Sequence, residues 1–479
     1  MTLRRGSGPA LPDASGQTLP GVSGQTATVD RDRLPVPGPT RPFPFPAIEK
    51  STLPNGLRVW TVHHTQVPLI AFTLLIRRGA SSDPAGKEGL AAVTADMLDE
   101  GSGDRSAIEI HEALARLGAQ FDTDIGSDAT VTSLTVLSRF TRQALDLLSD
   151  VVVRPAIRES DFSRVRQLRL HRLTQLRDMP GAVADRAFLR LVYGADPYGH
   201  SPIGGETSLA AMDVDDVRGF HARAIRPDVS TLIAVGDCEH ASMVQMAAEA
   251  FADWSGAGAA EPLGDGALPH AAPINVVPRM RAPQSELRIG QVSVARDTPD
   301  YHPLVVANTI LGGQFVSRIN MNLREGKGLT YGARTAFEFR RRSGPFALQA
   351  SVQTSGTADA IRESLGEIAG IRGSRPVTAA ELELGIAALT RGYARSFETG
   401  EQIGRAALQL ALYDLPDDYF QQFVPRIEQV TAEDVSRVMS QHLDPTRLVT
   451  LAVGDLDVIG PGLEALGLGA PVVLSPDAF

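Results

Sequence analysis

The chain has 479 residues, of which 43% are hydrophobic and 21% are charged, and its formal net charge is −10. This length exceeds what one hydrophobic core usually supports, so we expect two domains. The negative charge argues against a nucleic-acid-binding surface, which needs a basic stripe. No apolar run approaches the roughly 20 residues of a membrane helix, and the single cysteine, Cys238, excludes an intrachain disulfide and a cysteine-based zinc site.

Residues 1–46 carry nine of the 32 prolines, with Gly, Ser and Thr between them. Because such a composition cannot bury a core, we predict a flexible or extended arm. No apolar stretch follows the opening Met-Thr-Leu-Arg-Arg, so no secretory signal is visible and the sequence favours a cytoplasmic location.

The next segment, residues 47–252, predicts a domain of alternating strands and helices. Asn55-Gly56 lies between apolar runs and predicts a hairpin turn. Further strands are expected near residues 69–78, 119–125, 129–138 and 231–237. Helices are expected near residues 87–99, 106–117, 159–178, 182–193 and 213–224. Residues 253–273, rich in Gly, Ala and Pro, predict a linker to a second domain at 274–479.

The second domain repeats the first. The turn proline Pro227 recurs as Pro445, and the strand end Ala-Val-Gly-Asp237 recurs as Ala-Val-Gly-Asp455, both 218 residues later. The helix before each proline keeps the same register, so we infer an internal duplication of an α+β unit. Each half is predicted to be a mostly antiparallel sheet covered by helices, and two such halves joined by a linker suggest a clamshell.

A ten-residue segment in the second domain, Leu-Arg-Glu-Gly-Lys-Gly-Leu-Thr-Tyr-Gly at 323–332, predicts a helix-to-strand corner. A helix through 317–325 should be broken by Gly326 and Gly328, and a strand should begin at 329–333. Arg324 and Tyr331 then lie near one corner. Together they offer guanidinium and hydroxyl donors, although an Arg…Tyr spacing alone would favour an ion pair and a core tyrosine.

This segment, with Leu-Gly-Gly at 311–313 and Ser-Arg at 317–318, resembles the late motif of the pitrilysin/insulinase (inverzincin) zinc peptidases. The resemblance spans about residues 48–458. It implies that Arg324 and Tyr331 hold a substrate carbonyl that becomes negative in the transition state. Gly312 and Gly313 would form a substrate-binding loop or, equally, a helix C-cap.

The zinc helix of that family, G-L-A-H-x-x-E-H-M, is altered here. Aligning Gly-Leu-Ala at 89–91 places Ala92, Ala95 and Asp96 at the positions of the two histidines and the glutamate. Alanine offers neither imidazole nor carboxylate. The later helix that carries the third ligand in the family has no carboxylate within 163–177. We therefore expect no metal in this chain, and no nucleophile elbow, P-loop or helical histidine pair offers another catalytic site.

The resemblance implies the non-zinc subunit of a heterodimeric bacterial peptidase, inactive alone. A homologous partner would supply H-x-x-E-H and the zinc ion, and extended peptides would be the substrates. Related bacterial proteins make the periplasm an alternative location. The competing hypothesis is a non-catalytic scaffold or peptide-binding protein of the same metallopeptidase-like fold.

Overall fold

A computed structural model describes Gly38 and residues 43–256, 268–269 and 271–475. Apart from Gly38 and residues 43–46, the predicted arm at 1–46 lies outside the described residues. Residues 257–267 and 270 of the predicted linker also lie outside them.

The described strands form two larger sheets and one short ribbon, β4–β5. In chain order they are β1 (Glu49–Thr52), β2 (Arg58–His63), β3 (Leu69–Ile76), β4 (Gly101–Ser102), β5 (Arg105–Ser106), β6 (Gln120–Ile125), β7 (Thr130–Leu137), β8 (Ser230–Gly236), β9 (Ile274–Pro278), β10 (Gln284–Val292), β11 (Thr330–Phe337), β12 (Pro345–Gln353), β13 (Val449–Gly454) and β14 (Val472–Val473).

The helices cover both sheets. In the first half they are α1 (Leu90–Asp96), α2 (Ala107–Leu117), α3 (Thr141–Val153), α4 (Glu159–Arg177), α5 (Pro180–Tyr193), α6 (Glu206–Ala210), α7 (Val214–Ala224) and α8 (His240–Ala250). In the second half they are α9 (Tyr301–Asn308), α10 (Arg318–Asn320), α11 (Thr357–Ala369), α12 (Ala379–Thr390), α13 (Gly400–Tyr413), α14 (Tyr419–Glu428), α15 (Ala432–His442) and α16 (Leu456–Glu464).

Five strands of each sheet match in order and direction, β2-β8-β3-β7-β6 in the first sheet and β9-β13-β10-β12-β11 in the second, while the edge strands β1 and β14 differ. The described strands of the two sheets run in the orders β1-β2-β8-β3-β7-β6 and β11-β12-β10-β13-β9-β14. Neighbours are antiparallel except for β2 with β8, β13 with β9 and β9 with β14. Helices α7 and α15 are offset by 218 residues, and each begins with a capping box, at Asp213 and Thr431. The predicted α+β fold with two similar halves is confirmed.

One face of each sheet is covered by helices of its own half, and the other face by a helix from the opposite half. Helix α13 places Ala407 and Leu410 in one core with Val235 of the first sheet. Reciprocally, α5 places Phe188 in one core with Leu451 of the second sheet. The halves are therefore interlocked, which the sequence did not predict.

The segment that begins at residue 43 belongs to the core and not to an arm. Phe45 is buried, and the ring of Phe43 stacks on Phe397 with centroids 4.6 Å apart. Phe45 also contacts Phe420 of α14, at 5.0 Å between centroids. The predicted arm therefore ends before residue 43 and not at residue 46. The proline-rich composition suggested an arm, but the two phenylalanines between the prolines have large apolar surfaces that pack in the core.

Two predicted helices differ from the structure in length or type. The helix expected at 87–99 is shortened to α1, because Gly89 has a left-handed φ of 99° and the chain leaves the helix after Asp96. The helix expected at 317–325 begins as α10 and continues as a π-helical segment, Met321–Gly326. Such wide turns are often found at functional sites.

Candidate functional site

The predicted corner in the second half is built by a wide helical turn and one left-handed glycine. After the π-helical segment 321–326, Gly328 has a φ of 63°, a conformation that glycine adopts without strain. The N–H of Leu329 then donates to the carbonyl of Leu323 at 2.8 Å, and β11 begins at Thr330. The turn brings the end of the helical segment beside the start of the strand.

Two polar side chains hold this corner together. The buried amide of Asn320 donates to the carbonyl of Ala333 at 2.8 Å and accepts from its N–H at 2.9 Å. The hydroxyl of Thr330 accepts from the N–H of Gly332 at 3.1 Å. Between Thr330 and Ala333 the pairing with β12 is shifted, so Tyr331 and Gly332 form a bulge at the edge of the sheet. Bulges of this kind redirect side chains.

Arg324 and Tyr331 line one cavity at this corner. The Tyr331 side chain is 89% exposed, and the described residues provide no hydrogen bond to its hydroxyl. The Arg324 guanidinium lies 4.0 Å from the ring centroid of Phe315, and it pairs with the carboxylate of Glu325 at 3.6 Å. Both side chains therefore keep donors available at the surface.

The adjacent glycines, 312 and 313, close a second π-helical segment, Thr309–Gly313. Gly312 is buried, and a Cβ there would lie 2.6 Å from the hydroxyl oxygen of Thr335. This close approach of helix and strand gives Gly312 a packing reason for lacking a side chain. Gly313 is exposed at the end of the segment. Substrate binding by Gly312 and Gly313 stays a prediction.

An ion pair anchors the helix that leads to Arg324. Arg318 of α10 binds Glu381 of α12 through two contacts, Nε to Oε1 at 2.6 Å and Nη2 to Oε2 at 2.8 Å. The Glu381 carboxylate also accepts from Thr378 at the start of α12. The hydrogen bonds from Arg318 outweigh the opposing effect of burial, and they lower the pKa of Glu381 from 4.5 to about 2.

This lowered pKa predicts a specific loss of stability in acid. The folded-state pKa lies below the ordinary value, so the stabilisation is complete above about pH 4.5 and is lost as the pH falls towards 2. With partial exposure taken into account, we expect the ionised Glu381 to contribute roughly 1–3 kcal/mol to the unfolding free energy at neutral pH. Denaturant unfolding of the wild type and Glu381→Gln between pH 7 and pH 3 measures it.

The difference in unfolding free energy between the two proteins should shrink as the pH falls. Glu383→Gln on the same helix is the matched control, because Glu383 is exposed, and it should show no such convergence. A difference that stays constant down to pH 3 would contradict the assigned ion pair.

The altered zinc helix, α1, offers no ligand set. Ala92 and Ala95 are buried, at 2% and 3% exposure. Asp96 points to α4, where the Nε of Arg169 donates to its Oδ2 at 2.6 Å. A permanently charged guanidinium therefore occupies the space beside the one carboxylate of the motif, and it would repel a divalent cation.

The residues present do not fit a metal ion. Within the described ranges, no group of three or more His, Cys, Asp or Glu side chains is arranged to hold one. A second arginine of α4, Arg164, pairs with Glu100, just beyond α1. Helix α4 thus presents arginine side chains to two carboxylates at and just beyond the end of α1, those of Asp96 and Glu100.

Sequence reasoning missed three residues of this site. Phe315 supports Arg324, Asn320 ties the helix to the strand, and Arg334 of β11 lines the same cavity. An asparagine inside a helical pattern could have been noticed, since its side chain commonly bonds to backbone groups. Nothing local marks Phe315 or Arg334, because their roles depend on contacts across the corner.

Two family models match consecutive parts of the chain. The model described as Insulinase (Peptidase family M16) matches residues 58–204, and the model described as Peptidase M16 inactive domain matches residues 211–389. The chain belongs to the insulinase-like peptidase family M16. The second model covers the π-helical corner with Arg324 and Tyr331.

Individual M16 relatives cover most of the chain. An uncharacterised zinc protease of Mycobacterium leprae is 25% identical over 401 residues, which is 82% of this chain and 89% of the relative. A probable mitochondrial-processing peptidase subunit beta of Schizosaccharomyces pombe is 23% identical over 86% of this chain and 92% of the relative. The crystal structure of a peptidase M16 inactive domain from Pseudomonas fluorescens aligns with a TM-score of 0.80 and 25% identity, covering 85% of this chain and 98% of the other.

Among the helices that the structure describes, none is both long enough and apolar enough to cross a bilayer.

Proposed function

We propose that this M16 chain is the subunit of a zinc-dependent endopeptidase that supplies Arg324 and Tyr331 to a zinc site carried by a partner chain. The observation that carries the proposal is the exposed pair itself. Tyr331 projects from an edge bulge with a free hydroxyl, beside an arginine supported by an aromatic ring. This exposure argues against the core tyrosine that the Arg…Tyr spacing alone would favour, since a core tyrosine is buried and its hydroxyl usually has a partner.

The chemistry of the two side chains suits a carbonyl that gains negative charge. Arg324 offers a permanent positive charge and several donors, and Tyr331 offers one hydroxyl donor. Donors placed where charge develops stabilise the transition state more than the ground state. The rigid corner, held by Asn320 and Thr330, limits the reorganisation that would otherwise weaken this effect. The partner's zinc would supply activated water.

The need for a partner rests on the first half of the chain. Ala92 and Ala95 cannot bind zinc, and Asp96 is engaged by Arg169. The fission-yeast relative is named as one subunit of a processing peptidase, which supports a two-subunit arrangement for this chain as well. A homologous subunit with an H-x-x-E-H helix, and hence a heterodimer, is the partner we expect.

A non-catalytic scaffold or peptide-binding role is the alternative. The interlocked halves and the Arg169–Asp96 pair are compatible with either function, because both features stabilise the chain without contributing to catalysis. Exposed donors at the corner favour the catalytic role. The two functions differ in whether activity of a mixed complex depends on this chain.

The test is reconstitution. This chain and an H-x-x-E-H homologue from the same genome are purified separately, and each is assayed with a quenched fluorescent peptide, alone and mixed. We expect hydrolysis from the mixture that far exceeds the sum of the separate activities and is abolished by chelating zinc.

Size-exclusion chromatography of the mixture provides the control for assembly. A stable complex in which this chain adds nothing to hydrolysis would overturn the catalytic proposal and favour the scaffold. Hydrolysis by this chain alone, with one bound zinc ion, would overturn both.

A further inference from the structure

A row of polar side chains crosses the second sheet beside Arg324 and Tyr331. The strand register pairs Arg334 of β11 with Gln349 of β12, and Gln349 with Arg288 of β10. All three residues line the cavity at the corner. Directly paired residues on neighbouring strands point to the same face, so the row forms one continuous polar floor.

The charges along this row are unequally compensated. Arg288 is buried and pairs with Asp185 of α5 at 2.7 Å and with Glu286 at 3.2 Å. Arg334, in contrast, donates to the neutral amide oxygen of Gln349 at 3.0 and 2.6 Å. No carboxylate pairs with Arg334 among the described residues. Its guanidinium is held in place and keeps an unneutralised charge.

Arg334 lies further along the same strand as Tyr331 and lines the same cavity. Among the described strands β11 is at the end of its sheet, but its outer edge is occupied at Ala333, whose N–H and carbonyl bond to the side chain of Asn320. An extended peptide would therefore lie over the face that carries the polar row. Arg334 follows Tyr331 by three residues, which in a strand corresponds to roughly 10 Å, and the bulge shortens this somewhat. This distance spans about three residues of an extended peptide.

We infer that Arg334 selects peptides that carry an acidic side chain about three residues from the cleaved bond. The inference rests on the proposed function, because it places the cleaved bond at Arg324 and Tyr331. Gln349 positions Arg334, and the pairing of Glu286 with Arg288 prevents that carboxylate from neutralising it. The substrate class is therefore extended acidic peptides.

The test uses the reconstituted two-chain enzyme and matched quenched peptides with Glu, Gln or Lys at each of the four positions on either side of the bond. The cleavage site is verified by mass spectrometry. We expect about a three- to tenfold preference for Glu in kcat/KM at one position, appearing mainly in KM, since an ion pair formed equally in the ground and transition states changes KM. The preference should weaken at high salt.

Variants that change the charge of Arg334 test whether the preference for Glu depends on this side chain. Arg334→Gln should remove the preference for Glu, and Arg334→Glu should reverse it in favour of Lys at the same position. Arg391→Gln, at an exposed arginine beyond α12, is the matched control and should leave the preference unchanged. Equal hydrolysis of the Glu and Gln peptides, or a preference that survives Arg334→Gln, would overturn the inference.

The two proposals fail in different ways. If Arg324 and Tyr331 variants strongly lower hydrolysis but no acidic preference exists, only the inference about Arg334 is wrong. If hydrolysis does not depend on Arg324 and Tyr331, the proposed function is wrong. In that case an acidic preference lost in Arg334→Gln would show that Arg334 binds peptide away from the cleaved bond, which also overturns the inference as stated.

Discussion

Arg324→Ala is expected to lower kcat/KM of the reconstituted enzyme by about 10²–10³-fold, the effect of removing one donor from a developing oxyanion. Tyr331→Phe, which removes only the hydroxyl, should act in the same direction. The double variant should lose less than the product of the two single effects, because both donors act on one oxygen. Steady-state kinetics of all three variants, each mixed with the wild-type partner, measures these effects.

The controls separate catalysis from folding. Tyr331 is exposed, so Tyr331→Phe should leave the unfolding free energy within about 0.5 kcal/mol of the wild type. Arg324→Lys keeps the charge but loses the planar fork, and it should recover only part of the activity. Full activity in the double variant, with complex formation intact, would show that neither side chain contacts the reacting carbonyl.

Phe188→Ala is expected to lower the unfolding free energy by about 3–5 kcal/mol. Phe188 lies on α5, is 4% exposed, and packs on the sheet of the opposite half. A Cβ on Gly290 of β10 would lie 2.9 Å from the tip of its ring, so the strand makes room for this side chain. Denaturant unfolding followed by circular dichroism measures the loss.

The interlocked helices also predict how the chain unfolds. Helices α5 and α13 each complete the core of the other half. Phe188→Ala should therefore shift a single cooperative unfolding transition that includes both halves. Ile108→Ala, at a 70% exposed position of α2, is the control and should change stability by less than about 0.5 kcal/mol. Two separate transitions, only one of them shifted, would contradict the interlocked arrangement.

Much of the fold could be predicted from local patterns. The hairpin at Asn55-Gly56 is confirmed by the antiparallel pairing of β1 with β2, and the duplication is confirmed by the five matching strands of each sheet. Helix α13 was not predicted, although it covers one face of the first sheet. Its apolar stripe shows that it must pack on something, but a stripe does not specify which sheet it covers.

Some residues of the candidate site could also be predicted from local sequence, whereas others could not. The motif around Arg324 and Tyr331 could be recognised because its residues are close in the sequence. The salt bridge between Asp96 and Arg169 could not be predicted, because the two residues lie on different helices and are 73 residues apart in the sequence. The same holds for the polar row from Arg334 to Arg288, which exists only once three strands are in register.

The sequence by itself determined that this chain is a duplicated α+β protein that resembles the insulinase-like peptidases, keeps the late Arg–Tyr motif and lacks the residues of the zinc helix. Only the tertiary structure showed that Tyr331 is exposed on an edge bulge and that Arg169 pairs with Asp96. It also showed that each half packs a helix on the sheet of the other half. The physical reason is that side-chain periodicity encodes the type of an element and its apolar face, whereas exposure and long-range pairing depend on how distant elements pack together.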